Sequence, residues 1–198
     1  MKRAALASII GLALIGMTVA GCQATRAGYE SAPYTVVRKD GRFEVRDYPT
    51  LQVVGTSTTP GSNGSDGSFM KLFRYITGGN ERREKIAMTT PVLMQETGGD
   101  YQMSFVLPQK VRTSGPPAPT DASLKVRELP PARYAVLRFR GGRNRPNETR
   151  SLETLRSWLQ KESMTPEAGP VYAYFDPPWI PAFLCRNEVM LRIPASAR

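Results

Sequence analysis

Phe43-Glu44-Val45-Arg46-Asp47-Tyr48-Pro49 and Leu124-Lys125-Val126-Arg127-Glu128-Leu129-Pro130 carry one pattern written twice, 81 residues apart. Both copies alternate apolar and polar positions, end on proline and continue into a β-rich run, Leu51 to Thr58 in the first and Tyr134 to Phe139 in the second. Period-two alternation places one set of side chains on one face, so both copies are expected to be strands. The repeat continues beyond them. A Gly/Ser/Asn-rich stretch leads in each half to an apolar stripe with helical spacing: Phe69, Leu72, Phe73 and Ile76, then Leu152, Leu155 and Leu159. Such spacing makes a single apolar face, which puts Phe73 in the expected core. Ser68 and Asn147 suit helix N-caps, and Gly78-Gly79 suits a left-handed helix end.

Two further strands close each half: Lys85 to Met94 and Tyr101 to Leu107, then Pro170 to Phe175 and Glu188 to Ile193. The unit is therefore strand, helix, strand, strand, used twice. Two such sheets with one striped helix per repeat close around a shared core, which predicts an α+β fold with a distorted, barrel-like sheet and a pseudo-twofold axis. The expected domain runs over 34–194, with halves about 34–111 and 122–194, Val45 matching Val126 and Phe105 matching Leu191. Between the halves, Thr113 to Asp121 contains Pro116-Pro117-Ala118-Pro119. It is expected to strap across one compact unit, because neither half has a second helix to cover its sheet.

Composition narrows the function. The 198 residues are 40% hydrophobic and 22% charged, with 17 Gly and 17 Pro, which excludes collagen-like, coiled-coil and wholly disordered chains. Lys and Arg number 27 against 17 Asp and Glu, a net charge of +10 that suits an anionic partner. Histidine is absent. That removes Ser-His-Asp and Cys-His nucleophile activation, His-ligated zinc and a proximal histidine on haem iron. No phosphate-cradling Gly pattern and no metal-ligand cluster is visible, and Asp47 and Glu128 are repeat equivalents rather than an acid/base pair.

The first 21 residues have the layout of a secretory signal: basic Met1-Lys2-Arg3, then an uncharged, mostly apolar run from Ala4 to Gly21. Val19-Ala20-Gly21-Cys22 resembles the lipobox of bacterial lipoproteins, in which the cysteine thiol is lipidated before cleavage. Residues 1–21 are thus expected to be a lipoprotein signal peptide, and 22–33 a lipidated Cys22 with a polar tether. Gln23 stands where an aspartate would resemble an inner-membrane retention signal, so the expected location is the outer membrane, facing the periplasm. A multiply acylated Cys22 would anchor the chain stably, and that location leaves no role for nucleic acid. Cys185 is then without a partner for an internal disulfide, and a monomer is expected.

Five strings, taken in order, resemble the SOUL haem-binding protein family. They are Phe43 to Tyr48; Phe73-x-Tyr75-Ile76-x-Gly78-Gly79-Asn80; Lys85-Ile86-x-Met88-Thr89-x-Pro91-Val92; Pro116-Pro117-x-Pro119-x-Asp121; and Tyr174-x-Asp176-Pro177-Pro178-Trp179-x-Pro181 with Arg186-Asn187-Glu188-Val189. The resemblance spans about 33–194. It implies a distorted β-barrel of two repeats and a haem or related tetrapyrrole ligand, and the family's histidine-ligated members lend no ligand to this chain.

Haem needs an apolar slot, a cation for its propionates and, optionally, an axial ligand. Arg74, on the edge of the first helix stripe, is the leading propionate partner, and Arg186 is the second. Trp179 lies in the proline-rich loop and could stack on a flat ligand. Axial candidates are Met88, Met94, Met103, Tyr75 and Cys185, all of which also read as core residues. The expected function is a non-enzymatic binder of haem or a related flat hydrophobic ligand. The alternatives are a tetrapyrrole-modifying enzyme and a structural or partner-binding lipoprotein with no open pocket.

Overall fold

The structure, a computed structural model, describes residues 28–196 apart from 98 and 178. The expected signal segment and Cys22 lie outside the described residues. In chain order the elements are β1 (Glu30–Ser31), β2 (Thr35–Asp40), β3 (Phe43–Tyr48), β4 (Leu51–Ser57), helix α1 (Ser68–Ile76), β5 (Thr89–Thr90), β6 (Val92–Thr97) and β7 (Asp100–Val106). There follow a short helix α2 (Gln109–Ser114), β8 (Lys125–Leu129), β9 (Ala132–Phe139), helix α3 (Arg145–Lys161), β10 (Val171–Tyr174), a 3-10 turn (Ala182–Leu184) and β11 (Asn187–Ile193).

Nine strands form one curled, half-barrel sheet in the order β2-β3-β9-β11-β10-β6-β7-β4-β8. Without β2, this order reads the same from either end once β3, β4, β6 and β7 are matched to β8, β9, β10 and β11. The register obeys the same symmetry. Val45 pairs with Ala135 and Val126 with Val54, and each partner lies 81 residues from its counterpart. Val54 in turn pairs with Phe105, and Ala135 with Leu191, so Phe105 and Leu191 are equivalent as the repeat predicts. The pseudo-twofold axis passes between β6 and β10, where Val92 pairs with Tyr174.

Helix α1 packs on β4 and β7, and α3 on the equivalent strands β9 and β11. The larger core lies on this helix-covered side, with Val45, Val54, Phe105, Ala135, Leu137, Val189 and Leu191 among its members. Side chains on the opposite side of the sheet form a second cluster, including Leu51, Val53, Leu93, Val106, Val136, Val171 and Met190. Because alternate residues of a strand point to opposite faces, nearly every central strand is buried twice.

The structure corrects the helix phase. In α1 the buried positions are Ser68, Leu72, Tyr75 and Ile76, while Phe73 is 40% exposed. The cause is polar. Ser68 Oγ donates to Asp66 Oδ1 at 2.6 Å and lies 2.9 Å from Thr58 Oγ1, which turns Ser68 inward and rotates Phe73 out. Ser68 is thus the first helical residue, behind Gly67, rather than the cap. In α3 the cap is Asn144, whose side chain accepts from Asn147 N–H, and the buried line gains Trp158. Trp158 stacks on Phe43 at 4.9 Å, and its indole N–H donates to Asp40 at 2.9 Å. Further differences are the extra helix α2, the non-strand stretch 85–88, and the last residues of the expected tether. There, Glu30–Ser31 pairs in parallel with Thr89–Thr90 and Ala32 is buried.

Candidate ligand-binding site

Helix α1 and the turn behind it hold three of the sequence-derived candidates. The turn is fixed by its glycines. Gly79 N–H donates to Arg74 O at 2.8 Å, and a Cβ on Gly79 would stand only 2.8 Å from that same oxygen. Asn80, fully buried, donates to the carbonyls of Tyr75 and Glu84 and accepts from Glu84 N–H. The proline strap crosses here: Glu81 N–H donates to Ala118 O, Thr120 N–H to Gly79 O, and Tyr75 Oη to Pro117 O at 2.9 Å.

Tyr75 is therefore a strap anchor with no exposed surface, and burial pushes its hydroxyl up to about 12. Met88 is half-buried against the helix-side core. Arg74 is exposed. Beside it on the same helix, Met70 and Phe73 are also exposed, at 48% and 40%, and Phe73 stacks on Phe69 at 6.1 Å. Three positions apart, Met70 and Phe73 share one helix face. The outer side of α1 thus presents a thioether and an aromatic ring flanked by Lys71 and Arg74.

The other candidates lie elsewhere. Met94 and Met103 are core residues facing each other across β6 and β7. Cys185 is buried, with Sγ 3.5 Å from Ile180 O and 3.6 Å from Pro181 O. Trp179 is 75% exposed on the loop ahead of β11, as is Phe183 at 68%. That loop is tied by Asp176, whose carboxylate accepts from Arg186 N–H at 2.6 Å, and by Arg143, which donates to Asp176 O.

Arg186 belongs to a charge cluster on the helix-free side of the sheet. Arg46, with no exposed surface, donates to Glu44 at 2.7 Å and to both oxygens of Glu188 at 2.7 and 3.0 Å. Arg186 and Arg138 converge on the same Glu188 Oε1, at 2.6 and 3.2 Å, and the ring of Tyr34 covers the Arg46 guanidinium at 4.2 Å. Burial pushes the Glu188 carboxyl up, but the hydrogen bonds and charges of Arg46 and Arg186 outweigh it and hold the group below its usual range. An ionised carboxylate saturated by three guanidinia can neither give nor readily take a proton, so the cluster is a clamp. Sequence reading missed it, since Glu44, Arg46 and Tyr48 alternate as a solvent-facing set does.

On that same side a narrow cleft lies on the pseudo-twofold axis, lined by Tyr48, Leu51, Leu93, Leu129, Val171 and Met190 and closed by the equivalent corners Pro49 and Pro130. Its volume is about 30 Å³. Ligand pockets for drug-sized molecules run to roughly 300–1,000 Å³, so a tetrapyrrole does not fit this cleft. The outer side of α1 does fit one edge of such a group, since it offers an exposed apolar ring and thioether next to two cations. Among the described residues no cluster of three or more cysteines and carboxylates is placed to hold a metal ion.

Comparison with known proteins gives the class. The pattern of the SOUL heme-binding protein family matches residues 29–192, and the chain belongs to that family. Heme-binding protein 1 of Mus musculus is 30% identical over 129 residues, which is 61% of this chain and 67% of that protein. Heme-binding protein 1 of Xenopus tropicalis is 24% identical over 161 residues, covering 76% of this chain and 84% of that one. In fold alone, the chain is similar to the EcmrR–DNA complex structure, with a TM-score of 0.59 at 9% identity over 93% of this chain and 68% of that one. A hydrolase from Listeria innocua superposes with a TM-score of 0.57 at 9% identity, over 80% of this chain and 94% of that one.

Proposed function

We propose that this chain binds haem or a related flat tetrapyrrole on the outer side of α1, without a histidine ligand, as a lipoprotein of the cell envelope. The observation that carries the site is the exposure of Phe73 beside Arg74, within a string that the family resemblance marks. A macrocycle laid on Phe73 and Met70 removes apolar surface from water, and Arg74 with Lys71 meets the propionate carboxylates. The chain has no histidine, so binding rests on apolar contact and charge. Trp179 and Arg186 are the alternative docking point, although Arg186 is already committed to Glu188. Cys22 supplies the anchor, and the outer membrane facing the periplasm is the proposed location.

Nuclear magnetic resonance with iron-free protoporphyrin tests the site. Amide shifts are expected at Met70 to Arg74. Shifts confined to the cleft at Leu51, Leu93 and Leu129, or none at all, would contradict it. A second reading, a partner-binding lipoprotein with no open pocket, draws its support from the one-water volume of that cleft.

A further inference from the structure

Two arginines related by the pseudo-twofold axis stand among differently charged neighbours on the helix-free side of the sheet. Arg46 in β3 corresponds to Arg127 in β8 by the 81-residue register. Glu188 pairs with Arg138 and Gln102 with Ser57, which makes Gln102 the counterpart of Glu188. Glu44 corresponds in the same way to Lys125. Two carboxylates, Glu44 and Glu188, stand around Arg46, whereas their counterparts around Arg127 are a lysine and an amide.

Arg127 is accordingly short of partners. Its Nη2 donates to Ser104 Oγ at 3.3 Å, and among the described residues its buried Nε has no hydrogen-bond partner and no ion pair satisfies the guanidinium. Burial pulls the guanidinium down from its ordinary value, with no acid to oppose the shift. Gly55 pairs with Ser104 on one side and Lys125 on the other, next along that face from the Val53–Arg127 pair, and a Cβ there would lie 2.7 Å from Ser104 Oγ. On this face of β4, β7 and β8, Asp100 is the sole acid, four residues and about 14 Å along the strand from Ser104. A buried donor without an acceptor costs stability that a carboxylate would return.

We propose that Arg127 anchors a carboxylate-binding site on the helix-free side, taking a small organic acid whose carboxylate fills the place that Glu188 fills for Arg46. Leu129, two residues along the same strand face, lines the apolar cleft at about 7 Å. A cleft of about 30 Å³ holds about one water, so the acid carries at most a methyl-sized apolar group, and this site is separate from the tetrapyrrole site proposed on α1.

The test uses the full chain in neutral detergent, with acetate and its uncharged amide, acetamide, as probes and the Arg127 Nε–H resonance as readout. The acid should shift that resonance saturably and bind at least tenfold more tightly than the amide, a difference of about 1.4 kcal/mol. Arg127→Gln should weaken the acid at least tenfold. Gln102→Glu, which supplies the missing carboxylate from within, should abolish binding while raising the melting temperature, and Arg74→Glu should leave binding unchanged. Equal binding of acid and amide, or undiminished binding by Gln102→Glu, would overturn the proposal.

Discussion

Arg46 and Glu188, 142 residues apart in sequence and both without exposed surface, meet in a two-point contact at 2.7 and 3.0 Å that ties β3 to β11 across β9. Removing one partner strands a buried charge, so Glu188→Gln should cost about 3–5 kcal/mol in urea unfolding. The acid limb should change as well. Glu188 is held below its ordinary value of 4.5, so its contribution is complete above that pH and is lost as pH falls through the lower folded value. Stability of Glu188→Gln should therefore fall less steeply below about pH 4.5, where Glu residues ordinarily titrate. Parallel slopes for the two proteins would contradict the assignment.

Tyr75 and Pro117 fix the proline strap to α1 through one hydrogen bond of 2.9 Å. Tyr75→Phe should lose about 0.5–1.5 kcal/mol in urea, the usual worth of such a bond, because the ring stays in the core. Porphyrin affinity should not move. A large loss of affinity with intact stability would make Tyr75 a ligand residue.

Phe73→Ala should cost less than about 1 kcal/mol, against the 3–5 kcal/mol typical of a buried aromatic, because the ring is 40% exposed. The same substitution should weaken iron-free porphyrin severalfold in a fluorescence titration. A stability loss above about 3 kcal/mol would return Phe73 to the core.

The contrast between Phe73 and Val45 shows how far the sequence carries. Val45 and Val126 were legible as equivalents because period-two alternation and a shared proline leave one register, which the sheet repeats residue for residue. The phase of α1 was not legible. Both 69-72-73-76 and 68-72-75-76 make a helical stripe, and the choice depends on Asp66 and Thr58 drawing Ser68 inward, which apolar spacing does not record. The Arg46–Glu188 clamp was hidden for a similar reason. Alternating charges in β3 read as a wet face until the curled sheet brings β11 and Tyr34 over them. Of the proposed site, the string pointed to Arg74 but not to Met70, whose place three residues before Phe73 was the available signal.

Cys22→Ser should leave the precursor uncleaved and without lipid mass, as read by intact-mass measurement and detergent partitioning. A mature wild-type N-terminus at any residue other than Cys22 would contradict the anchor.

The central claim is tetrapyrrole binding by apolar contact and charge, and an absorbance titration of the chain from Gln23 onward with ferric haem and with iron-free protoporphyrin tests it most directly. The two dissociation constants should agree within about tenfold, equivalent to 1.4 kcal/mol, since no histidine reaches the iron. Arg74→Glu should weaken both together by replacing attraction with repulsion at the propionates. The account is contradicted if neither ligand binds. It is equally contradicted if haem binds far more tightly than porphyrin, with a thiolate or thioether spectrum that disappears in Cys185→Ala or in a methionine variant.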